Sequence, residues 1–147
     1  MRVYRITLAR FSTSLYASGF VARWNSKGTF VIYTAGSRSL ACLENLVHRS
    51  GEGLDAGFRV MTIEIPDDLA IDRVVLNDLP VNWKEFSQQV STRTIGDTWV
   101  KKSNAAVLRV PSAIIPQEFN YILNPSHQEF KRIKLISSDE FSFDRRL

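Results

Sequence analysis

Cysteine is almost absent from this sequence, since Cys42 is the only one in 147 residues. A lone cysteine excludes an internal disulfide framework and a zinc cluster built on cysteine ligands, and it suits a reducing compartment. Long apolar runs are also missing, because no segment approaches the ~20 residues that a membrane-spanning helix needs. The N-terminus lacks the apolar core of a signal peptide. We therefore expect a soluble, cytoplasmic protein that makes no contact with a membrane.

Several sequence motifs of catalysis are missing too. Neither GxxxxGK[ST] nor GxGxxG occurs, which disfavours P-loop and Rossmann chemistry. Ser112 and His127 could belong to a hydrolase triad, but no GxSxG element accompanies them. The histidines His48 and His127 have no second ligand at a spacing typical of zinc sites, so the sequence indicates no metal.

The composition that remains is that of a globular protein, with 44% hydrophobic and 23% charged residues. The length fits a single domain over 1–147. Nineteen basic and 15 acidic residues give a net charge of +4, which favours anionic ligands without choosing among them. The basic residues form no stripe with interleaved aromatics and no helix-turn-helix is visible, so direct binding to nucleic acid is disfavoured.

Hydrophobic periodicity predicts an α+β domain with a strand-rich core and a few short helices. Alternating or β-branched segments predict strands at 3–8, 29–35, 58–65, 70–76, 105–111 and 131–137. A turn at 66–68 would allow the strands on either side of it to be adjacent. The last strand alternates charged and aliphatic residues, which is typical of an edge strand or of one solvated on one face.

Helical spacing of apolar residues predicts a helix over 37–51, with Ser37 or Ser39 as its N-cap and Gly51 as its stop. Gly96 interrupts the segment 82–102, so two short helices are expected there. In the segment 112–130, two prolines indicate loop and a short strand, followed by a brief helix after the second proline.

Glu44 occupies an unusual position on the 37–51 helix. A helical wheel puts it inside an apolar stripe formed by Leu40, Leu43 and Val47, with Ala41 at the margin. A carboxylate directed at a core is either paired, protonated or exposed in a cleft where it acts on a ligand. Arg23 and Arg38 are possible partners, so periodicity alone leaves a structural ion pair and a functional role equally open.

A second cluster, RWNSK at 23–27, sets Arg23 and Lys27 beside Trp24. Arginine binds phosphate oxygens in bidentate fashion, lysine adds a point charge, and an aromatic face can stack on a planar heterocycle. This combination suits a nucleotide, although a solvated loop between strands often carries the same residues.

Taken together, these motifs resemble the RES domain, a family whose name records an arginine, a glutamate and a serine. The resemblance covers nearly the whole chain. Its features are an Arg-Trp-Asn segment, a strand ending in tyrosine, a helix with glutamate and histidine, a Val-Pro-Ser segment and an Asn-x-x-x-Asn-Pro-x-His segment. They correspond here to Arg23, Trp24, Asn25, Tyr33, Glu44, His48, Ser112, Asn120, Asn124, Pro125 and His127.

The resemblance implies a fold similar to that of ADP-ribosyltransferases and the function of a toxin in a bacterial type II toxin–antitoxin pair. It implies cleavage of the bond between nicotinamide and ribose in NAD⁺. Phosphorolysis to nicotinamide and ADP-ribose 1″-phosphate is the first expectation; hydrolysis and ADP-ribosylation of a protein are the alternatives. NAD⁺ is then a substrate, inorganic phosphate a co-substrate, and no cofactor is needed. The expected partner is an Xre-type helix-turn-helix antitoxin, through which any contact with DNA would be indirect.

The resemblance also implies site residues. We expect Arg23, Tyr33, Glu44 and Ser112 to be catalytic, and Trp24, Lys27 and Asn124 to bind substrate. Cleavage passes through an oxocarbenium-like ribose, and Glu44 would stabilise its positive charge. Arg23 would hold a phosphate group, Tyr33 would contact the nicotinamide or its ribose, and Ser112 with Asn124 would supply hydrogen bonds.

Overall fold

The structure, a computed structural model, describes residues 1–48 and 51–147. Across these residues the backbone forms seven strands and two α-helices. In chain order they are β1 (Arg2–Leu8), β2 (Ile32–Ala35), α1 (Arg38–His48), β3 (Phe58–Glu64), β4 (Ile71–Arg73), α2 (Gln89–Lys102), β5 (Val107–Pro111), β6 (Phe119–Leu123) and β7 (Lys134–Phe141). Short 3-10 turns occur at Ala9–Phe11, Leu76–Asp78, Phe86–Gln88 and Gln128–Arg132. The prediction of more strand than helix is confirmed.

All seven strands belong to one sheet, in the order β4-β5-β6-β2-β1-β3-β7. Every neighbouring pair is antiparallel except β4 and β5, which run parallel. The sequence predicts β3 and β4 on either side of a turn at 66–68 and allows these two strands to be neighbours in the sheet. They are instead far apart in the sheet, because β1 and β7 already occupy the two edges of β3. β7 ends the sheet, as the alternating charged residues predicted.

The helix α1 begins after Ser37, whose Oγ accepts a hydrogen bond of 3.1 Å from the Leu40 N–H. This confirms Ser37 as the N-cap. Gly51 has a φ of +81°, typical of a residue after a helix, but 49 and 50 lie outside the described residues. The predicted apolar stripe is wrong, because Leu43 and Val47 are exposed.

The buried face of α1 is rotated from the predicted stripe and contains Leu40 and Ala41. These two side chains pack on Ile6 and Ala35 of the sheet. Glu44 and Asn45, four positions further on, face the sheet as well, since their side chains contact Asn120 of β6 and Ile6 of β1. This is the face that carries Glu44.

The helix α2 runs without a break through Gly96, so the expected division into two helices is wrong. A Cβ at residue 96 would lie 1.6 Å from the Trp24 carbonyl oxygen. Glycine is therefore required here because the helix touches the backbone of another segment directly, and its weak helix propensity is outweighed by that contact. Together with Trp83 and Trp99, Trp24 forms an aromatic cluster that fixes the 23–27 segment against α2.

No helix of the described residues is long and apolar enough to cross a membrane. In the same part of the chain, no three His, Cys, Asp or Glu side chains come together as a metal site would require.

Candidate active site

A cavity of about 620 Å³ opens where strands β1 and β2 separate. β1 pairs with β3 along its whole length, whereas the described residues of β1 and β2 are in register at the single pair Tyr4↔Ala35. Beyond this pair the strands diverge, and the space between them is lined by both strands, by α1, by the first turn of α2 and by the segment 20–24. The volume is in the range of small-molecule sites.

Asn45 of α1 bridges the opening between the two strands. Its Nδ2 donates a hydrogen bond of 3.0 Å to the Ile6 carbonyl of β1. In β1 the odd-numbered residues exchange backbone hydrogen bonds with β3. The carbonyl of Ile6, an even-numbered residue, therefore points to the opposite side, toward β2. At this position β2 has already diverged from β1 and does not bind the carbonyl. The side chain of Asn45 therefore replaces a missing strand contact and fixes α1 relative to β1.

Glu44 lies on the cavity wall, and its side chain is 21% exposed. Its Oε1 accepts hydrogen bonds from Asn120 Nδ2 at 2.6 Å and from Ser112 Oγ at 2.9 Å. Its Oε2 lies 3.3 Å from His48 Nε2, one helical turn away. Both oxygens are therefore fixed in position by side chains from three different elements of the fold.

These contacts also determine the charge of Glu44. Burial by itself would raise the pKa of the carboxyl group, but hydrogen bonds from His48, Asn120 and Ser112 outweigh it and hold the pKa below its ordinary value. The group is thus a carboxylate at neutral pH. Its half-buried position makes its field strong inside the cavity.

Ser112 is fully buried and directly follows β5. Its contact with the site is the hydrogen bond to Glu44. Its Oγ donates to the carboxylate and accepts from the N–H groups of Ile114 and Ile115, at 3.1 and 3.2 Å. With its lone pairs engaged by the backbone, the hydroxyl proton is directed at Glu44. Ser112 therefore positions the carboxylate.

Arg23 lines the same cavity, but it makes no ion pair with Glu44 among the described contacts. Its Nη1 donates 3.2 Å to the Trp83 carbonyl, and the guanidinium lies 5.7 Å from the centre of the Trp83 ring. The alternative partner Arg38 stacks over Tyr4 at 4.4 Å. Of the alternatives that periodicity left open, an ion pair with one of these arginines is therefore not formed among the described residues, and Arg23 keeps donors available to a ligand.

Tyr33 lines the cavity, and its hydroxyl is hydrogen-bonded to the neighbouring segment at Trp24 and Asn25. The Tyr33 hydroxyl donates 2.6 Å to Asn25 Oδ1 and accepts 3.1 Å from the Trp24 N–H. Burial raises the pKa of this hydroxyl well above its ordinary value, so it remains protonated. A ligand would meet the ring of Tyr33, because the oxygen is already engaged.

Three predicted substrate-binding residues have other surroundings. Trp24 is 3% exposed and packs against Trp83 with 5.9 Å between ring centres, so its ring belongs mainly to the core although the residue borders the cavity. Lys27 is exposed on a turn and does not line the cavity. Asn124 is fully buried after β6, where its Oδ1 accepts from the N–H and hydroxyl of Ser126 at 3.0 and 2.6 Å. Neither Lys27 nor Asn124 lines the cavity.

Sequence reasoning missed two arginines on the cavity wall. Arg5 projects from the centre of β1, and Arg93 from the first turns of α2. Burial lowers the pKa of Arg5, and no carboxylate of the described residues forms an ion pair with it. Arg93 is held by the Ala22 carbonyl at 3.1 Å and by Gln89. An arginine in the middle of an otherwise half-buried strand was the one signal that could have revealed Arg5.

The cavity is therefore lined by groups of both charges. Guanidinium groups of Arg5, Arg23 and Arg93 supply donors and positive charge, whereas the carboxylate of Glu44 lies beside neutral amides. Such an arrangement suits a ligand with an anionic part and with a second part on which positive charge resides or develops.

The fold has a close counterpart among solved structures. The chain is similar to the structure described as the M. tuberculosis MbcT-MbcA toxin-antitoxin complex, with a TM-score of 0.78 and 19% sequence identity. The likeness covers 96% of this chain and 84% of that chain. The predicted mixed α+β domain with a strand-rich core is thereby confirmed.

Curated relatives extend the likeness to the sequence. The chain is 36% identical to "Toxin Res" of Yersinia enterocolitica over 152 residues, which is 100% of this chain and 99% of that protein. It is 35% identical to the "Prs ADP-ribosylating toxin" of a Sphingobium species over 127 residues, 85% of this chain and 79% of that protein. The RES domain matches residues 2–145. With this match over almost its full length, the chain belongs to the RES domain family.

Proposed function

We propose that this protein is the toxin of a bacterial toxin–antitoxin pair and that it depletes NAD⁺ by phosphorolysis to nicotinamide and ADP-ribose 1″-phosphate. The observation that carries the proposal is the Glu44 carboxylate, ionised and held by Ser112, Asn120 and His48 on the wall of a cavity. The same cavity is lined by Arg5, Arg23 and Arg93, none of which forms an ion pair within the described residues. The family of the chain and the names of its relatives support the toxin role.

In the proposed reaction, the bond between the ribose C1″ and the pyridinium nitrogen breaks, and nicotinamide leaves as a neutral molecule with the bonding electron pair. An oxygen of inorganic phosphate forms the new bond to C1″. Positive charge on the ribose is greatest between these two events. A carboxylate that is already oriented stabilises this charge without reorganising, which lowers the barrier.

The anionic groups need a separate anchor. The pyrophosphate of NAD⁺ and the incoming phosphate each carry negative charge, and Arg23, Arg5 and Arg93 offer planar donors that match phosphate oxygens. The ring of Tyr33 offers an apolar face to the nicotinamide or its ribose. The proposal makes no use of Lys27 or Asn124, because neither borders the cavity.

A helix-turn-helix antitoxin of the Xre type is the partner that we propose. The solved structure that the chain resembles is described as a toxin-antitoxin complex, which supports a protein partner for this chain. Contact with DNA would then be made by the antitoxin, and the pair would act in the cytoplasm.

ADP-ribosylation of a protein is the second candidate, and one observation favours it. The relative from Sphingobium, 35% identical, is named an ADP-ribosylating toxin. The same carboxylate would serve this reaction, since the two differ only in the nucleophile that attacks C1″.

The experiment is to incubate the purified protein with NAD⁺, with and without inorganic phosphate, and to measure nicotinamide and the ADP-ribose product. Release that depends on phosphate supports phosphorolysis, release without phosphate indicates hydrolysis, and label on a protein band from labelled NAD⁺ indicates ADP-ribosylation. Glu44→Gln should lower turnover at least about 100-fold, and Arg23→Ala should also impair it. The matched control is Glu85→Gln, an exposed carboxylate outside the cavity. Full activity of both site variants would refute the proposal.

A further inference from the structure

Two asparagine side chains flank Glu44 in the cavity. Asn45 follows it on α1 and reaches toward β1, and Asn120 reaches it from β6. Both residues line the cavity. The proposed reaction gives them no direct contact with substrate, so their remaining hydrogen-bonding capacity is unassigned.

The orientation of both amides follows from their partners. The Nδ2 of Asn45 donates to the Ile6 carbonyl, and the Nδ2 of Asn120 donates to Oε1 of Glu44. Both partners are pure acceptors, because a backbone carbonyl and an ionised carboxylate carry no proton. Turning either amide over would bring two oxygens together, so each Oδ1 must face away from its partner.

Each of these Oδ1 atoms is buried and receives no hydrogen bond from the described residues. Buried acceptors without a donor are rare in folded proteins and mark places where a ligand or an ordered water completes the structure. Both atoms belong to residues that line the cavity, one next to Glu44 in sequence and one hydrogen-bonded to it. A molecule that fits here must bring N–H or O–H groups.

We propose that Asn45 and Asn120 are specificity-determining residues whose Oδ1 atoms accept hydrogen bonds from neutral donors of the dinucleotide. The inference rests on the proposed function. Two groups beside the bond to be broken have this chemistry, the carboxamide N–H of nicotinamide and the hydroxyls of the adjoining ribose. A carboxylate in place of the carboxamide would set negative charge against three acceptors, and it would be rejected.

The test compares three substrates: NAD⁺, nicotinic acid adenine dinucleotide, and NAD⁺ lacking the 2′-hydroxyl of the nicotinamide ribose. Nicotinamide or nicotinic acid release gives kcat/KM for the wild type and for Asn45→Leu and Asn120→Leu. We expect the wild type to prefer NAD⁺ by about 100-fold or more over an analogue that lacks the donor, because a site built to hydrogen-bond a group rejects its absence strongly. In each leucine variant the ratio of kcat/KM between NAD⁺ and the analogue should fall about tenfold, because one hydrogen bond to the substrate is lost.

The ratio between substrates is the decisive readout, because a structural role alone would lower all three rates together. If a leucine variant reduces the preference for NAD⁺ over nicotinic acid adenine dinucleotide, the carboxamide is the donor. If it reduces the preference for NAD⁺ over the deoxy analogue, the donor is the ribose hydroxyl. Asn77→Leu, at an exposed asparagine outside the cavity, is the control and should leave every ratio unchanged.

Unchanged ratios in both leucine variants would overturn the inference while leaving NAD⁺ cleavage intact. If the wild type cleaves no dinucleotide, the proposed function fails, and the inference is then tested by binding. The rise in Tm caused by NAD⁺ should exceed that caused by nicotinic acid adenine dinucleotide, and the leucine variants should reduce this difference. Equal shifts for both ligands in the wild type would overturn it.

Discussion

The carboxylate of Glu44 illustrates how much one residue depends on its neighbours. Three side chains donate to it, and they come from α1, from the end of β5 and from β6. Without them, burial would favour the protonated form, which cannot stabilise a positive charge. The acid–base state of the site is therefore set by residues that need not touch a substrate.

Ser112→Ala tests this dependence through pH. The variant removes one donor from Glu44, so the pKa of the carboxyl group should rise. Activity that needs the carboxylate is present above this pKa and lost as the pH falls through it. The acidic limb of the kcat profile should therefore move to higher pH, with kcat at neutral pH reduced about tenfold.

The control for this experiment is Ser87→Ala, an exposed serine outside the cavity, which should leave the profile unchanged. A Ser112→Ala enzyme with an unmoved acidic limb would contradict the positioning role. Nicotinamide release at a series of pH values is the measurement.

Tyr33→Phe separates the ring of this residue from its hydroxyl. The change leaves the Trp24 N–H and Asn25 Oδ1 buried without their partner, because both residues are almost completely buried. We expect a loss of about 1–3 kcal/mol in the free energy of unfolding. The remaining folded enzyme should keep its affinity for NAD⁺, since the ring is retained. Urea denaturation measures the stability, and unchanged stability would refute the structural role of the hydroxyl.

At the scale of elements, the contact between α2 and the 23–27 segment controls where Arg23 lies. The helix approaches the Trp24 backbone so closely that residue 96 has no room for a Cβ. The same contact is reinforced by Thr92, whose Oγ1 donates 2.6 Å to the Arg23 carbonyl, and by Asp97, whose Oδ1 accepts from the Ser26 N–H at 2.9 Å. The loop that bears Arg23 is therefore anchored to α2 through its backbone.

Gly96→Ala tests this packing. In an isolated helix the change would be stabilising by up to about 1 kcal/mol, but here it forces the two segments apart. We expect a net loss of about 3 kcal/mol in the free energy of unfolding, a fall in Tm of about 6–12 °C and weaker NAD⁺ binding through displacement of Arg23.

Thr98→Ala, at an exposed position on the same helix, is the matched control and should be nearly neutral. Calorimetry and NAD⁺ titration of both variants give the comparison. Wild-type stability in Gly96→Ala would show that the helix and the loop can separate without cost, contrary to this interpretation.

At the scale of the whole molecule, the cavity joins segments that are far apart in sequence, from Arg5 to Asn120. If the assembled site consumes NAD⁺, expression of the intact protein in bacteria should stop growth and lower cellular NAD⁺. Glu44→Gln should abolish both effects while the protein still accumulates. If its partner is a helix-turn-helix antitoxin, as proposed, co-expression of that antitoxin should restore growth. Growth arrest by Glu44→Gln equal to that of the wild type would contradict a toxicity based on this carboxylate.

The sequence alone determined the local elements and the kind of fold. Alternation and β-branching predicted six of the strand positions, because burial of one face imposes a period of two on a strand whatever its neighbours are. Ser37 as a cap followed from chemistry confined to one helical turn. The motifs also pointed to Arg23, Tyr33, Glu44 and Ser112, all of which the structure brings to the cavity or to its carboxylate.

Tertiary structure decided the rest, because sheet order, cavity position and the direction of a side chain depend on contacts between distant segments. The predicted apolar stripe with Leu43 and Val47 was wrong because the apolar residues of α1 allow more than one packing face, and contact with the sheet selects the face that is buried. Gly96 lies within a continuous helix because the backbone of Trp24 packs directly against it, a contact between distant segments that the local sequence does not show. The cavity beside Arg5 exists because β1 and β2 diverge, and no local pattern predicts that a strand will lose its neighbour halfway along its length.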